Sequence, residues 1–318
     1  MKILIAYDGS QCSESALDDL NRAGLPLVGE AVLITVAEVW LPPPDGGNGD
    51  RASLDPYIET VGKRFREKGR RLLNESAMLA EHAAGRLRNI LPAWEIITCV
   101  TFGSPAREII SKAEDFQPEL IILGSHGHTA LSRVFLGSIS QKVLSESQSS
   151  VRISRGRNEV DPSFERIIIG YDGSPGSQAA VRSVAARNWS QGTQVLLLSV
   201  ADPIVPQSIG RFLSTKAAWA DEESKNDHEW IAQLAKTASK QLESSRLSVE
   251  RRLVEGNPKE ELIHQAENWH ADCIFVGATA HASSLSRLLL GSTASAVSAR
   301  AHCSVETVRG ADIPPQRN

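Results

Sequence analysis

No stretch of this 318-residue chain approaches the roughly 18 consecutive apolar residues of a membrane-crossing helix. Its opening apolar run, Ile3 to Ala6, is too short for a signal-peptide core and meets Asp8 almost at once, so a cytoplasmic location is expected. Cysteine is scarce. Cys12, Cys99, Cys273 and Cys303 stand far apart with no Cys-x-x-Cys pair, which signals neither a zinc site nor a disulfide framework and leaves four reduced structural thiols as the expectation. Charge of one sign is lacking as well: the formal net charge of −4 gives no broad footprint for nucleic acid or an anionic membrane, and neither partner is expected. The common phosphate-binding motifs are also absent. There is no G-x-x-x-x-G-K-[ST] and no G-x-G-x-x-G after the first apolar run, which excludes a Walker-type loop and a dinucleotide fingerprint.

What is present is an ordinary globular composition, 41% hydrophobic and 23% charged, in a chain long enough for two domains. An internal repeat supplies the division. Ile3-Leu4-Ile5-Ala6-Tyr7-Asp8-Gly9-Ser10 returns as Ile167-Ile168-Ile169-Gly170-Tyr171-Asp172-Gly173-Ser174. The block Gly103 to Ile110 is echoed by Gly256 to Ile263, Glu119 to Gly124 by Asp272 to Gly277, and Leu136-Gly137-Ser138 by Leu290-Gly291-Ser292, all in the same order. Two copies of one domain are therefore expected, over 1–156 and 163–310, with a polar, turn-prone linker at 157–162 and a tail at 311–318.

Within each copy, short apolar runs alternate with helical patterns. In the first, strands are expected at 2–7, 31–37, 94–101, 119–123 and 151–154, with helices at 13–22, 55–90, 104–114 and 138–146. The second repeats the plan, with strands near 166–171, 194–200, 247–254, 272–276 and 304–308 and a long helix between 221 and 244. Pro105 and Pro258 fit first helical turns, where a missing N–H costs nothing. Connectors follow the second strand of each copy at 41–54 and 201–214, the first too rich in Pro and Gly for regular structure. This alternation implies an α/β fold, two tandem domains each with a mainly parallel five-stranded sheet and helices on both faces.

The stretch from Leu123 to Ser140 carries the chemistry. Gly124, Gly127 and Gly137 lie between a strand end and a helix start, where free backbone N–H groups and the positive end of the helix dipole favour anions. Asp8 and Asp172 each end a first strand and open a Gly-Ser turn. On that feature alone, a turn-forming cap and a ligand-binding carboxylate stand level. The glycines tip the balance toward a ligand, because neighbouring central strands bring both features to one sheet edge.

The spacing Gly124-x2-Gly127-x9-Gly137-Ser138 resembles the ATP-binding signature of universal stress proteins, and the opening Tyr7-Asp8-Gly9-Ser10 after an apolar strand resembles their start. The resemblance covers nearly the whole chain as a tandem pair. It implies a Rossmann-like fold of the adenine nucleotide alpha hydrolase type, no metal in the protein's own ligand set, and ATP as cofactor, with Mg2+ riding on the phosphates. Carried over position by position, Ala6, Tyr7 and Asp8 would meet the adenosine end and Val36 would border the adenine. Leu123 and Gly124 would line the crevice, and Gly127 and Gly137 would admit the phosphates. Ser138, Ile139 and Ser140 would present N–H and hydroxyl donors. A side chain at Gly127 or Gly137 would meet the ligand or force an unfavourable backbone angle.

The second copy departs from this pattern. Between Gly277 and Gly291 it has one extra residue and no second glycine, Ala280 or His281 taking that place, and Ala294 stands where the first copy has Ser140. Asp172, Val200, Gly277, Gly291 and Ser292 make a weaker second site, and the first copy is expected to hold the nucleotide. Other features have plainer readings. His126 and His128 are expected to be exposed or beside phosphate rather than a metal pair, Arg133 and Arg287 to be loop arginines, and the basic stretch 63–71 to be a helix's solvated face. No carboxylate or lysine lies within 123–140 to serve as a catalytic base, so no catalytic residue is assigned. The expectation is an ATP-binding stress or regulatory switch, against a nucleotide-independent partner module, a slow ATPase or a transferase. By the same resemblance, 151–154 and 304–308 would pair inside the chain as a pseudo-dimer, with homodimerisation a further expectation.

Overall fold

The structure, a computed structural model, describes residues 1–38, 56–126, 136–156, 164–201, 233–278 and 290–310. The first half runs β1 (Lys2–Ala6), α1 (Gln11–Asp19), β2 (Gly29–Ala37), α2 (Pro56–Ile90), β3 (Trp94–Phe102), α3 (Pro105–Phe116), β4 (Leu120–Gly124), α4 (Ser138–Glu146) and β5 (Ser150–Ser154). The second half repeats it as β6 (Arg166–Gly170), α5 (Pro175–Ala185), β7 (Gln194–Ala201), α6 (described over 233–244), β8 (Ser248–Glu255), α7 (Pro258–Asn268), β9 (Cys273–Gly277), α8 (Ser292–Arg300) and β10 (Ser304–Val308). The connectors at 41–54 and 202–214, the linker at 157–162 and the tail at 311–318 lie outside the described residues.

The α/β reading holds, with several element ends shifted by one or two residues, as in α1. It starts at Gln11 rather than Ser13, because the Ser10 hydroxyl accepts the Ser13 N–H at 3.2 Å and caps the helix there, and it tightens into a 3-10 turn over Leu20–Arg22. Ser174 caps α5 in the same way, and Pro105, Pro175 and Pro258 occupy first helical turns.

Alternation along the central strands sorts the core into two layers per half. Ile3 and Ile5 of β1 pack with Leu17, Ala83 and Leu87, while Leu4 between them packs on the other face with Ile109, Val143 and Leu144. In β6, Ile167 and Ile169 face Val184 and Leu242, and Ile168 faces Leu262 and Val297. Buried on both faces, these strands need continuous apolar runs, and each such side chain contributes roughly 1.5–3 kcal/mol.

The ten strands among the described residues join in one sheet of order β3-β2-β1-β4-β5-β10-β9-β6-β7-β8. Every pairing is parallel except β5 with β10, where Ile153, Arg152 and Val151 oppose Val305, Glu306 and Thr307. This seam is charged and dry. Arg152 is 1% exposed and Glu306 is 0% exposed. Arg152 donates to Asp19 at 2.7 and 3.1 Å, to the Cys273 sulfur at 3.2 Å and to Glu306 at 3.5 Å. Arg187 closes on Glu306 with both of its terminal nitrogens and also donates to the Ala23 carbonyl at 2.8 Å. Beside them Arg22 pairs with Asp272 at 2.7 Å. Burial pushes the Cys273 thiol pKa well up, so it stays protonated and serves Arg152 as an acceptor.

The cost of breaking such a buried set comes from the charge left behind. Glu306→Leu takes one carboxylate from Arg152 and leaves Arg187 on the neutral Ala23 carbonyl without its carboxylate, and is expected to lower stability by about 3–5 kcal/mol, read from the urea unfolding midpoint of the full chain.

Candidate functional site

In each half the strand order reverses beside the first strand: β1 lies between β2 and β4, and β6 between β7 and β9. The helices that follow adjacent strands leave the sheet on opposite faces there, which opens a crevice at the strands' carboxyl ends. The register Ile5↔Ile122 sets the end of β1 beside the end of β4, so Asp8, Gly124 and the start of α4 share one edge, as the sequence requires.

In the first crevice the expected residues divide into those that face the edge and those that do not. Asp8 is exposed at this edge, and its Oδ1 accepts the Ser10 N–H at 3.0 Å, so it makes the turn into α1. Ala6 and Val36 are half-buried on the face covered by α3 and α4. Tyr7 and Leu123 contribute main chain only. The Tyr7 ring is in the core, with its hydroxyl donating to Glu14 and its pKa raised by burial, and Leu123 packs with Val143 and Ile153.

Gly124 answers to packing. A Cβ there would sit 2.8 Å from the Cys12 carbonyl, so the bare α-carbon is what lets the start of α1 rest on the end of β4. Gly137 donates its N–H to the Ser125 carbonyl at 2.8 Å and caps α4 with φ −62° and ψ 150°. Any residue adopts those angles, so the expected backbone strain at Gly137 is corrected; only its lack of bulk is distinctive. Gly127, His128 and Arg133 lie outside the described residues.

Ser138 and Ile139 open α4 with Ser140, and the N–H groups of these three positions have no partner within the helix. The expectation for Ser140 needs correction. Its hydroxyl is buried and donates to the Gly124 carbonyl at 2.8 Å, so it ties helix start to strand end instead of offering that proton to a ligand.

The second crevice is open. It encloses about 240 Å³ and is lined by Asp172, Val200, Gly277, Gly291 and Ser292, all five residues of the weaker site. Ser177, Leu198, Leu262, Val276 and Thr293 line it too and went unnamed in the sequence. The repeat could have found Val276 and Thr293, the counterparts of Leu123 and Ile139, but not Ser177, Leu198 and Leu262, whose counterparts Ser13, Ile34 and Ile109 carry no motif. Ser174 donates its N–H to Asp172 at 2.9 Å and Gly291 donates to the Ala278 carbonyl at 2.7 Å, repeating the first half. A Cβ on Gly277 would lie 2.4 Å from the Gly176 carbonyl carbon, the same packing demand as at Gly124. Ala294 has no hydroxyl to tie α8 to β9. Ala280, His281 and Arg287 lie outside the described residues.

The exposed alternative for His126 is corrected: it is 8% exposed, its Nδ1 shares a hydrogen bond with the Ser125 hydroxyl at 3.1 Å, and among the described residues its Nε2 has no hydrogen-bond partner. Burial lowers its pKa, helped by the nearby Arg155 charge. Among the described residues no group of three or more His, Cys, Asp or Glu side chains could hold a metal ion. Arg64, Lys68, Arg70 and Arg71 project into solvent from α2, as the pattern of that helix requires.

These features define a doubly wound α/β protein with one switch-point crevice per half. A universal stress protein family model matches the chain twice, over residues 1–155 and 163–309, and the chain belongs to that family. A universal stress protein of Mycobacterium tuberculosis is 27% identical over 184 residues, which cover 56% of this chain and 56% of the relative, so the match spans little more than half of that protein's length. One from Methanocaldococcus jannaschii is 28% identical over 162 residues, 49% of this chain and 96% of its own. Among solved structures, a universal stress protein from Archaeoglobus fulgidus has the same fold over 97% of this chain and 98% of its own, with TM-score 0.60 and 20% identity.

Two outcomes follow from this geometry. Gly124→Ala pushes α1 off β4 and is expected to cost about 1–3 kcal/mol by chemical denaturation without any ligand, which separates its packing role from binding. The lowered His126 pKa means that the unfolded chain takes up a proton first as pH falls. The native state is therefore unpenalised above about pH 6.5 and loses stability below it until the folded group titrates. His126→Gln should flatten that part of a melting-temperature profile between pH 7.5 and 5.5, and an unchanged profile would count against the assignment.

Proposed function

We propose that the protein is a nucleotide-dependent regulatory switch of the cytoplasmic stress response, and that it holds ATP mainly in the first crevice. The observation that carries this reading is the meeting of three features at one sheet edge. These are the exposed carboxylate of Asp8, the apolar wall at Val36, and the first-turn N–H groups of Ser138, Ile139 and Ser140, which have no partner within α4, behind Gly137. Three N–H groups at the positive end of a helix suit a polyphosphate, and a carboxylate two residues past a central strand suits the hydroxyl and amino groups of adenosine. A magnesium ion would be carried by the phosphates, since the residues named here supply no ligand set for it.

Ser140 supports the preference for the first half. Its bond to Gly124 fixes the cradle before a ligand arrives, whereas Ala294 leaves α8 without that tie. Preorganised donors bind more tightly because less order is lost on binding. The absence of a carboxylate or lysine from 123–140 favours holding the nucleotide over cleaving it. The open second crevice fits a lesser or different ligand on the same plan.

Calorimetric titration of the full chain with ATP and magnesium tests this. The expected result is saturation near one equivalent, abolished by Gly127→Val and weakened roughly threefold to tenfold by Ser140→Ala through the loss of one buried hydrogen bond. Absence of binding by the wild type would sink the reading.

A further inference from the structure

Besides the shared sheet and the buried ion pairs, two arginines in equivalent places tie the halves together. Arg155 follows β5 and Arg309 follows β10. Each anchors its own N–H on the hydroxyl of the first serine in the other half's last strand, Arg155 on Ser304 at 3.0 Å and Arg309 on Ser150 at 3.1 Å. Each then reaches the far end of the other half's last helix. Arg155 donates to the carbonyls of Ser298 at 2.5 Å and Ala299 at 3.3 Å in the final turn of α8, and to Cys303 at 3.3 Å. Arg309 donates to the Leu144 carbonyl at 3.0 Å in the final turn of α4.

The helices so gripped are the two whose first turns form the crevice edges. The last carbonyls of a helix have no partners inside it, and a guanidinium both donates to them and opposes the negative end of the dipole. The sequence of α4 supplies no cation of its own, having no basic residue in its last turn. In α8 the last-turn Arg300 is turned away onto Glu260 at 2.6 and 2.7 Å. In both cases the cation at the helix end comes from the opposite half. Helices of nine residues are rigid rods of about 13 Å, so fixing one end fixes the direction in which the first-turn N–H groups point.

We propose that Arg309, in the second half, is a positioning residue for the anion cradle of the first crevice, and that Arg155 is its counterpart for the second. The proposal rests on the nucleotide reading given above. Ligand seated on the first turn of α4 and the arginine seated on its last turn act on one rod, so nucleotide binding in the first half and docking of the second half strengthen each other.

The test uses the full chain with Arg309→Gln, Arg309→Lys and Arg155→Gln, read by ATP-magnesium titration and by amide exchange of α4 and α8. Arg309→Gln is expected to weaken ATP binding roughly twofold to tenfold and to raise exchange at the end of α4 while leaving α8 unchanged. Arg309→Lys should recover part of both, and Arg155→Gln should loosen α8 alone. General destabilisation would not give that crossed pattern. Wild-type binding with unchanged affinity in Arg309→Gln overturns the positioning role and leaves the nucleotide reading intact. Wild type that binds no ATP overturns the nucleotide reading, and the positioning role with it. Equal loosening of both helices by either variant overturns the crossed arrangement.

Discussion

The structure depends on one pairing at its centre, Arg152 against Glu306. The two residues hold equivalent places in the repeat, the third positions of β5 and β10, and the antiparallel register sets them opposite each other at the local two-fold axis. The same register between two copies of the first half would set Arg152 against Arg152, and between two copies of the second, Glu306 against Glu306. Duplication released that constraint. Once the two strands belonged to different repeats they could diverge, and an opposed pair could replace a like-charged or neutral one. Asp19 and Arg187 then complete the neutralisation, one from each half, so that the chain buries four charged groups in a dry seam without a net charge.

Much of the fold was legible in the sequence because its signals are local and repeated. Continuous apolar runs such as Ile3–Ile5 and Ile167–Ile169 can only be strands covered on both faces, and Pro105 and Pro258 mark helix starts wherever they occur. The pairing of the last strands followed from the family resemblance. The charges that fill it did not, because Asp19, Arg152, Arg187 and Glu306 are far apart in the chain and each reads alone as a surface residue.

The crevice was legible in a coarser way. Spacing located its edge but not the reason for each residue. Gly124 and Gly277 look like phosphate glycines, yet the backbone of the first helix of each half presses on them, at Cys12 and Gly176. Ser140 looks like a ligand donor, yet its hydroxyl serves the Gly124 carbonyl. His126 looks like an exposed loop residue, yet it is buried beside Ser125. For the two glycines and Ser140 the deciding contact comes from another element of the fold, and no motif encodes it.

The seam is internal to one covalent chain. Between two separate chains, an antiparallel strand pair of this size would form and dissolve with protein concentration. Here a few residues connect Gly156 to Phe164, which holds the partners at an effective concentration on the order of millimolar whatever the concentration of the protein itself. Pairing of the halves is thereby a unimolecular equilibrium, indifferent to dilution and to the amount of protein the cell makes.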